Sequence, residues 1–429
     1  MKASLRKGFA MATKERKKVS TTTWIVISMV LGVVAGIIGG QAMTQIQFVG
    51  DIFFHLVQMG IVPFVMCTII VAVGALTPQA LSGFGLKGIL IFAVSSFVAA
   101  GLGIGLSMIF QPGTGLGNTA LVQGAAYESS AGAVTFQDTI VGFFGSNIIA
   151  SMGAGSMVQC IVFAIALGLV ISFWRTTHNN ECKVYDFINE LCQLLLNIIR
   201  GVMKIAPIGI FCYVAAMVGS LGAEVLVPLV KYLVVMAAAV LLMFVLYFIA
   251  VTIVCRVNPI ALIRKMWPMS ALALGTISSA ITLPLAIEDT KNKIGVRSDI
   301  TDLLLPLGMP LNSNGAAIHL AVTAITIAQI YGIAFSGTEL LYVWVIAFLL
   351  SLANAVSPGA SLVSLTMIVP QLGLPMASIG IFAGLEYPTG AIRTILNVDG
   401  DVFAAMLVAG RKGIDRDVFD GKKTATDDA

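Results

Sequence analysis

Charge is scarce in this sequence. Aspartate, glutamate, lysine and arginine make up 11% of it, against 58% apolar residues, where a soluble domain carries roughly 25% charged residues. That deficit excludes an ordinary soluble domain. Histidine is scarcer still. His55, His178 and His319 lie far apart, and no HExxH or GxSxG signature accompanies them, so local machinery for metal- or serine-dependent hydrolysis is missing. The six cysteines are scattered without a CxxC pair, which favours packing within helices over metal or disulfide chemistry. No Gly-Lys-Ser/Thr phosphate loop occurs, nor a basic patch interleaved with aromatics, so the net charge of +4 does not point to nucleic acid. Short segments of alternating polarity, the mark of a membrane barrel, are lacking too.

What the chain has instead is long apolar runs. A helix needs about 20 apolar residues to cross a bilayer, and such runs recur: WIVISMVLGVVAGIIGG (24–40), YLVVMAAAVLLMFVLYFIAVTIV (232–254) and LLYVWVIAFLLSLANAV (340–356). The fold class is therefore an all-α, multi-pass membrane protein in the lipid bilayer of the cell membrane. The N-terminal stretch holds Lys2, Arg6, Lys7, Lys14, Arg16, Lys17 and Lys18 before a full-length span. It reads as a retained cytoplasmic tail, not a cleaved signal.

Counting crossings from that tail gives helices near 24–42, 48–77 and 87–110. A loop at 111–138 without lysine or arginine follows, then an apolar region at 139–174 and helices near 185–219 and 225–254. Arg175, Lys183, Arg256, Arg264, Lys265, Lys291, Lys293 and Arg297 all fall on the inside by this count, as the positive-inside rule requires. Arg200 and Lys204 lie within the fifth helix and are expected to face a protein interior or a cavity. Gly32, Gly36 and Gly40 are spaced for close approach of another helix.

After Arg256 the pattern changes. In ALALGTISSAITLPLAI (271–287), small and hydroxyl residues interrupt an apolar run whose two flanks are both basic. Flanks on one side of the membrane predict a segment that enters and turns back. A second such segment is SLANAVSPGASLVSL (351–365), where Pro358-Gly359 breaks the helix among Ser351, Asn354, Ser357 and Ser361. Two short kinked spans are the alternative. Re-entrant backbone survives in lipid only when buried in protein or lining a cavity, and paired broken segments are the best sequence pointer to a transporter site. Between them LLLPLGMPLNSNGAAIHL (303–320) carries Pro306, Gly308, Pro310, Asn312, Ser313 and Asn314. Carbonyls freed there, with the amides, are hard oxygen ligands for a small cation.

The last apolar run holds GLEYPTGAIRTILNVDGD (384–401). Arg393, Asn397 and Asp401 recur at i, i+4, i+8 and share one helix face, with Glu386 seven residues earlier on the same side. Charges at such depth mark substrate or ion pathways. Arg393 is the expected anchor for a carboxylate, which its planar fork matches bidentately, and Asp401 with Asn397 the expected cation site. A buried Arg–Glu or Arg–Asp pair locking the helix is the alternative. Asp399 points away from this face and is given no role.

These residues resemble the dicarboxylate/amino acid:cation symporter family, with its glutamate-transporter-like fold. The likeness is carried by SSAITLP (278–284), LPLGMPLNSNGAA (305–317), SPGA (357–360) and RTILNVDGD (393–401), with weaker matches at 61–66, 85–97 and 206–211. It implies eight transmembrane helices plus two re-entrant hairpins in inverted repeats, and a homotrimer. Residues 23–256 would be mostly scaffold and 257–411 the moving transport core, between cytoplasmic tails at 1–22 and 412–429. It implies that Arg393 and Thr394, with Asn397, Ser278, Ser279, Ser357 and Gly359, hold a small anionic substrate. Gly308, Asn312, Asn397 and Asp401 would hold one sodium ion, and Ser351, Leu352, Asn354 and Pro310 another. A further sodium site would use Ser95, Ser96 and Asn314.

The sequence departs from the family at three places. Asn314 stands where the family has an acid, with Ala316 after it, which weakens the further sodium site. Ala280 replaces a common serine. Gly390 stands three residues before Arg393, where amino-acid transporters of this family place an aspartate for the substrate ammonium. An ammonium without a counter-charge is poorly held in a dry site, so a C4-type dicarboxylate is expected in place of glutamate or aspartate. Sodium is the expected coupling ion, protons the alternative, and no enzyme cofactor is implied. A membrane-embedded enzyme or a channel is the reading from a different class. His319 is expected to be a packed histidine rather than a proton relay.

Overall fold

The computed structural model describes residues 21–76, 83–114, 137, 141–178, 181–222, 226–352, 360–375, 378–383 and 385–423. Helix α1 (Thr21–Gly39) passes through a 3-10 turn (Gly40–Ile46) into α2 (Gln47–Gly74), then α3 (Gly83–Phe110). The short α4 (Ile148–Gly153) precedes α5 (Met157–Thr177), α6 (Lys183–Val202), α7 (Ala206–Leu221) and α8 (Leu226–Cys255). The second half comprises α9 (Pro259–Thr276), α10 (Ser279–Asp289), α11 (Ser298–Leu311), α12 (Asn314–Ile330) and α13 (Gly337–Ser351). It ends with α14 (Ala360–Gln371), α15 (Ser378–Ala383), α16 (Glu386–Ala409) and the short α17 (Arg416–Phe419).

Among the described residues, five helical stretches are long and apolar enough to cross a membrane: Ile27–Phe53, Gly83–Phe110, Met157–Thr177, Leu226–Cys255 and Ser298–Ile330. The first runs through the 3-10 turn at Gly40–Ile46, which is where the separate helices expected at 24–42 and 48–77 meet. The expected single helix at 185–219 is α6 and α7, bent by 53°. Arg200 and Lys204 flank that bend and are exposed, not turned inward. Large apolar side chains such as Ile38, Val94, Val234, Leu241 and Ile253 are exposed too, far more than a soluble surface tolerates and as a lipid-facing one requires.

Local sequence explains the ends. Asn258 accepts from the backbone N–H of Ile260 and Ala261 at 2.9 and 3.3 Å, and Pro259 opens α9 where no donor is needed. Ser336 and Glu339 close a reciprocal capping box on α13. Helix α12 is buried on nearly every side, as a helix apolar all round must be.

Packing sorts the helices into two groups. Helices α1, α2, α5, α6 and α7 pack on one another; α3 and α8 pack on α12 and α16 together with α9 and α11. The glycine stripe serves the first group. A Cβ on Gly36 would lie 2.7 Å from Val218 Cβ and 2.8 Å from the Ala215 carbonyl of α7, and one on Gly32 3.0 Å from the Phe211 carbonyl. Gly40 instead turns the chain at φ 51. Gly36→Val should therefore wedge α1 from α7 and cost roughly 1–3 kcal/mol. A detergent-solubilised melting curve at the wild-type temperature would contradict this packing.

Candidate functional site

Helix α16 runs through the middle of the second group and is buried along most of its length. Arg393, Asn397 and Asp401 lie on it at 2%, 5% and 4% exposure. The regular helix puts them on one face, as their spacing predicts. Glu386 and Asp399 are buried as well, at 6% and 4%.

The charges on α16 form no close ion pair among the described residues, although Glu386 and Arg393 attract one another at longer range. Elsewhere the ion pairs of the described residues are ordinary: Lys291 with Asp302, Lys293 with Asp289, Arg297 with Asp299, and Lys422 with Asp417 and Asp420. None of Glu386, Arg393, Asp399 and Asp401 has such a partner within 4.0 Å among the described residues. The reading of Glu386 and Arg393 as a locking ion pair is thereby set aside. Burying a charge costs several kcal/mol even after relaxation, so each needs another source of stabilisation.

For Glu386 that source is backbone. Its Oε2 accepts from Leu362 N–H at 2.9 Å and its Oε1 from Ser361 N–H at 3.4 Å. Both donors belong to the first turn of α14, whose positive dipole end favours an anion. For Arg393 the compensation is thin. Nη1 reaches Ser364 Oγ at 3.5 Å, and Nε is buried with no hydrogen-bond partner. A guanidinium in that state is complementary to a carboxylate.

Three of the four residues expected at the main cation site meet. Asn312 Nδ2 donates to Asp401 Oδ1 at 2.9 Å, and Gly308 packs so closely that a Cβ there would strike the Asp401 carboxylate, 2.7 Å from Cγ. Ser95 Oγ donates to Asn312 Oδ1 at 3.2 Å. Ser96 Oγ donates to Asn314 Oδ1 at 2.9 Å, while Asn314 Nδ2 donates to the Tyr247 hydroxyl at 2.5 Å. One carboxylate among neutral amides and hydroxyls gives a net charge of −1, which suits a hard monovalent cation. No group of three His, Cys, Asp or Glu side chains suited to a metal ion occurs among the described residues.

Asn397 does something else with its oxygen. Oδ1 accepts from Gly315 N–H at 2.8 Å and pins the start of α12 against α16. A Cβ on Gly315 would meet the Arg393 backbone, 2.8 Å from Cα. The contact is made by the break at Asn312 and Ser313, where α11 stops and α12 begins. Pro310 lies in the last turn of α11. Thr394 is buried beside Arg393.

The first serine-rich segment turns sharply, with α9 packed on α10 across Ile277 and Ser278. Ile277 holds φ 52, a left-handed conformation rare for a β-branched residue and characteristic of constrained sites. Ser278 caps α10, accepting weakly from Ile281 N–H at 3.4 Å, and both Ser278 and Ser279 are buried. At the second segment Ser351 is buried and donates to the Phe348 carbonyl at 2.6 Å, and Leu352 follows it half-buried. Asn354, Ser357 and Gly359 lie outside the described residues.

Other contributors escaped the sequence reading. Ser270 donates to Asp399 Oδ2 at 2.7 Å, and Tyr247 joins the Asn314 pair. Tyr247, with Tyr232 on the same helix, puts a hydroxyl into a span of aliphatic and phenylalanine side chains, and that was the available signal. His319 is fully buried, 2.8 Å from the Tyr232 hydroxyl and bridged by Thr323, and is a packed, partnered histidine.

Comparison with known proteins places the geometry in context. The model of the sodium:dicarboxylate symporter family matches residues 21–411. A proton/glutamate-aspartate symporter of Escherichia coli K12 is 32% identical over 84% of this chain and 84% of its own. A proton/sodium-glutamate symport protein of Bacillus caldotenax is 28% identical over 92% and 96%. A C4-dicarboxylate transport protein of Bacillus subtilis is 24% identical over 90% and 92%. These are membrane transporters, not enzymes, and the chain belongs to the sodium:dicarboxylate symporter family.

Proposed function

We propose that this protein is a secondary active symporter of the cell membrane that couples uptake of a small dicarboxylate to sodium entry. The observation that carries the reading is Arg393, buried at 2% exposure with an unpartnered Nε and no acidic neighbour in ion-pair range among the described residues. It sits two helical turns from an oxygen-rich cluster around Asp401. One helix thus presents an anion receptor and a cation receptor in line. Their joint occupancy neutralises charges that are costly when bare, which is the physical basis of coupling. Gly308, Asn312 and Asp401 would hold the coupling sodium, with Asn397 fixing the break beside them. Ser351, Leu352, Asn354 and Pro310 would form a second site under the second hairpin. Asn314, neutral but already held by Ser96 and Tyr247, leaves any site with Ser95 and Ser96 the weakest.

The architecture supports movement by rigid units. We read α9–α10 and the segment around 351–371 as re-entrant hairpins, completing eight crossings, with both termini in the cytoplasm. Helices α3 and α8 side with the second group in packing, so the transporting unit would include them as well as residues 257–411. The glycine-packed first group would be the scaffold and trimer contact. Elevator-like travel of one group along the other is the form of alternating access this division suits.

Two substrate classes meet Arg393 equally well, a plain C4 dicarboxylate and an amino dicarboxylate. The glycine at 390 favours the first; the names of the more similar relatives favour the second.

An inward sodium gradient in proteoliposomes should drive uptake of labelled succinate or aspartate, and a choline gradient should not. Uptake that ignores sodium and follows an inward proton gradient would move coupling away from Asp401. Asp401→Asn should weaken sodium dependence about tenfold or more, since a charged partner contributes roughly 1.5–3 kcal/mol. Gly308→Ala should do likewise by displacing the same carboxylate, and unchanged sodium activation in both variants would remove the cation site from this cluster.

A further inference from the structure

The first hairpin has two feet, and the C-terminal segment ties them together. Just before α9, Arg416 donates from Nη1 to the Arg256 carbonyl at 3.0 Å and from Nη2 to the Cys255 carbonyl. Just beyond α10, Asp415 N–H donates to the Gly295 carbonyl at 2.8 Å and Arg297 N–H to the Gly413 carbonyl at 3.1 Å, with Val296 bridged to Ile414 between them. Where the feet meet this strap lies a surface cavity of about 630 Å³, a size usual for small-ligand sites. Helix α9 lines it with Ala261, Arg264 and Lys265, which stand at i, i+3 and i+4 and share one face. Lys293 of the π-turn Thr290–Ile294 comes from the other foot, and Phe419 and Asp420 from the strap.

Positive charge is in excess there. Lys293 is matched by Asp289 at 2.6 Å, and Asp420 by Lys422 at 3.3 Å. Arg264 has no ion pair and no hydrogen bond among the described residues, and Lys265 has only the Phe419 ring, 5.3 Å from Nζ to its centre. A position on the side read as cytoplasmic accounts for basic residues in general. It does not account for two unmatched cations of one helix face meeting in a cavity walled by three segments. Beside them α9 carries a second stripe: Ile260, Ile263 and Trp267, at i, i+3 and i+7, are all exposed. A cationic stripe and an apolar stripe thus run side by side on one helix.

We propose that this cavity binds the phosphate group of an anionic phospholipid at the foot of the first hairpin. The planar fork of Arg264 matches two phosphate oxygens, and Lys265 and Lys293 add point charges around them. Basic pockets at the cytoplasmic ends of membrane helices select anionic headgroups in this way. The acyl chains would lie along Ile260, Ile263 and Trp267, with the indole at the depth that tryptophan favours in a bilayer. A free phosphate ester has the same headgroup chemistry but gives the apolar stripe no part, so the lipid is the source the surroundings favour. Bound there, it would join α9 to the strap that holds both feet, and so steady the base of the hairpin that turns at Ser278 and Ser279. The inference goes beyond the transport reading and needs only that α9 meets the membrane surface.

The test follows the melting temperature of the full-length protein in a neutral detergent as dioleoylphosphatidylglycerol, dioleoylphosphatidylcholine or water-soluble glycerol 1-phosphate is added. The half-saturating concentration for the rise in melting temperature is the readout, so it reports binding and not transport. Phosphatidylglycerol should half-saturate at a concentration about tenfold or more below that of phosphatidylcholine, and glycerol 1-phosphate should have no effect at the same concentrations. Removing both unmatched cations, in Arg264→Gln/Lys265→Gln, should raise the phosphatidylglycerol value about tenfold or more. Ala261→Phe, which fills the cavity and keeps its charge, should raise it as well. Lys183→Gln/Arg200→Gln, which removes two exposed cations elsewhere, should leave it unchanged. Arg264→Gln alone removes no contact of the fold and should shift the value in the same direction, whether or not the double variant folds. Equal values for the two lipids would overturn the proposal. So would equal shifts in the two double variants, which would mean a general attraction to basic surface, or a wild-type value in Ala261→Phe. A full effect from glycerol 1-phosphate would assign the cavity to a free phosphate ester and overturn the lipid as its occupant.

Discussion

The rest of this structure depends on the cost of holding a bare charge away from water. Most of the molecule avoids it: charges are few, and the ion pairs seen among the described residues lie toward helix ends and the C-terminal tail. Helix α16 does not avoid it. It carries a buried arginine and three buried carboxylates, and the surrounding elements are shaped to manage them. The first turn of α14 supplies N–H donors to Glu386, the α11–α12 break supplies an amide to Asp401, and Ser270 of α9 supplies a hydroxyl to Asp399. Arg393 alone is left with one long contact to a hydroxyl. The irregular backbone is the means by which polar groups reach a depth where a continuous helix would present only side chains.

Close packing sets the positions of these groups. Gly308, Gly315, Gly390 and Gly400 all lie where a Cβ would collide with a functional neighbour: the Asp401 carboxylate, the Arg393 backbone, Ile277 and the Asn314 amide respectively. Backbone thus approaches backbone or a carboxylate directly, and a cluster of oxygens forms without long side chains that would cost conformational entropy to order.

Much of this was legible in the sequence because it is local. The i, i+4, i+8 spacing of Arg393, Asn397 and Asp401, the interruption at 306–314 and the serine-rich turn at 278–279 are each contained within one segment, and helix periodicity converts them to a face or a break. The grouping around Asp401 was legible in part: Asp401, Asn312 and Gly308 meet, whereas Asn397 gives its oxygen to Gly315. Partner choice between segments is not a local property. No periodicity tells that α3 and α8 pack with the second half, that Glu386 turns to α14 and not to Arg393, or that Ile277 takes a left-handed turn against Gly390. The glycine at 390 shows the limit most clearly. Read alone, it means that no acid is present; in the fold, it is also the point where Ile277 packs against the α16 backbone, 2.8 Å from where a Cβ would stand.

The central claim is that Arg393 is a carboxylate receptor and not a structural cation. The most direct measurement is equilibrium binding of labelled aspartate and labelled succinate to purified Arg393→Ala and Arg393→Lys proteins, with sodium binding followed in parallel. The account predicts that Arg393→Ala loses dicarboxylate binding about a hundredfold or more, in line with removal of a buried charged partner. Arg393→Lys should recover only part of it for want of the planar fork, and both should still bind sodium. Dicarboxylate binding at wild-type affinity in Arg393→Ala would contradict the account.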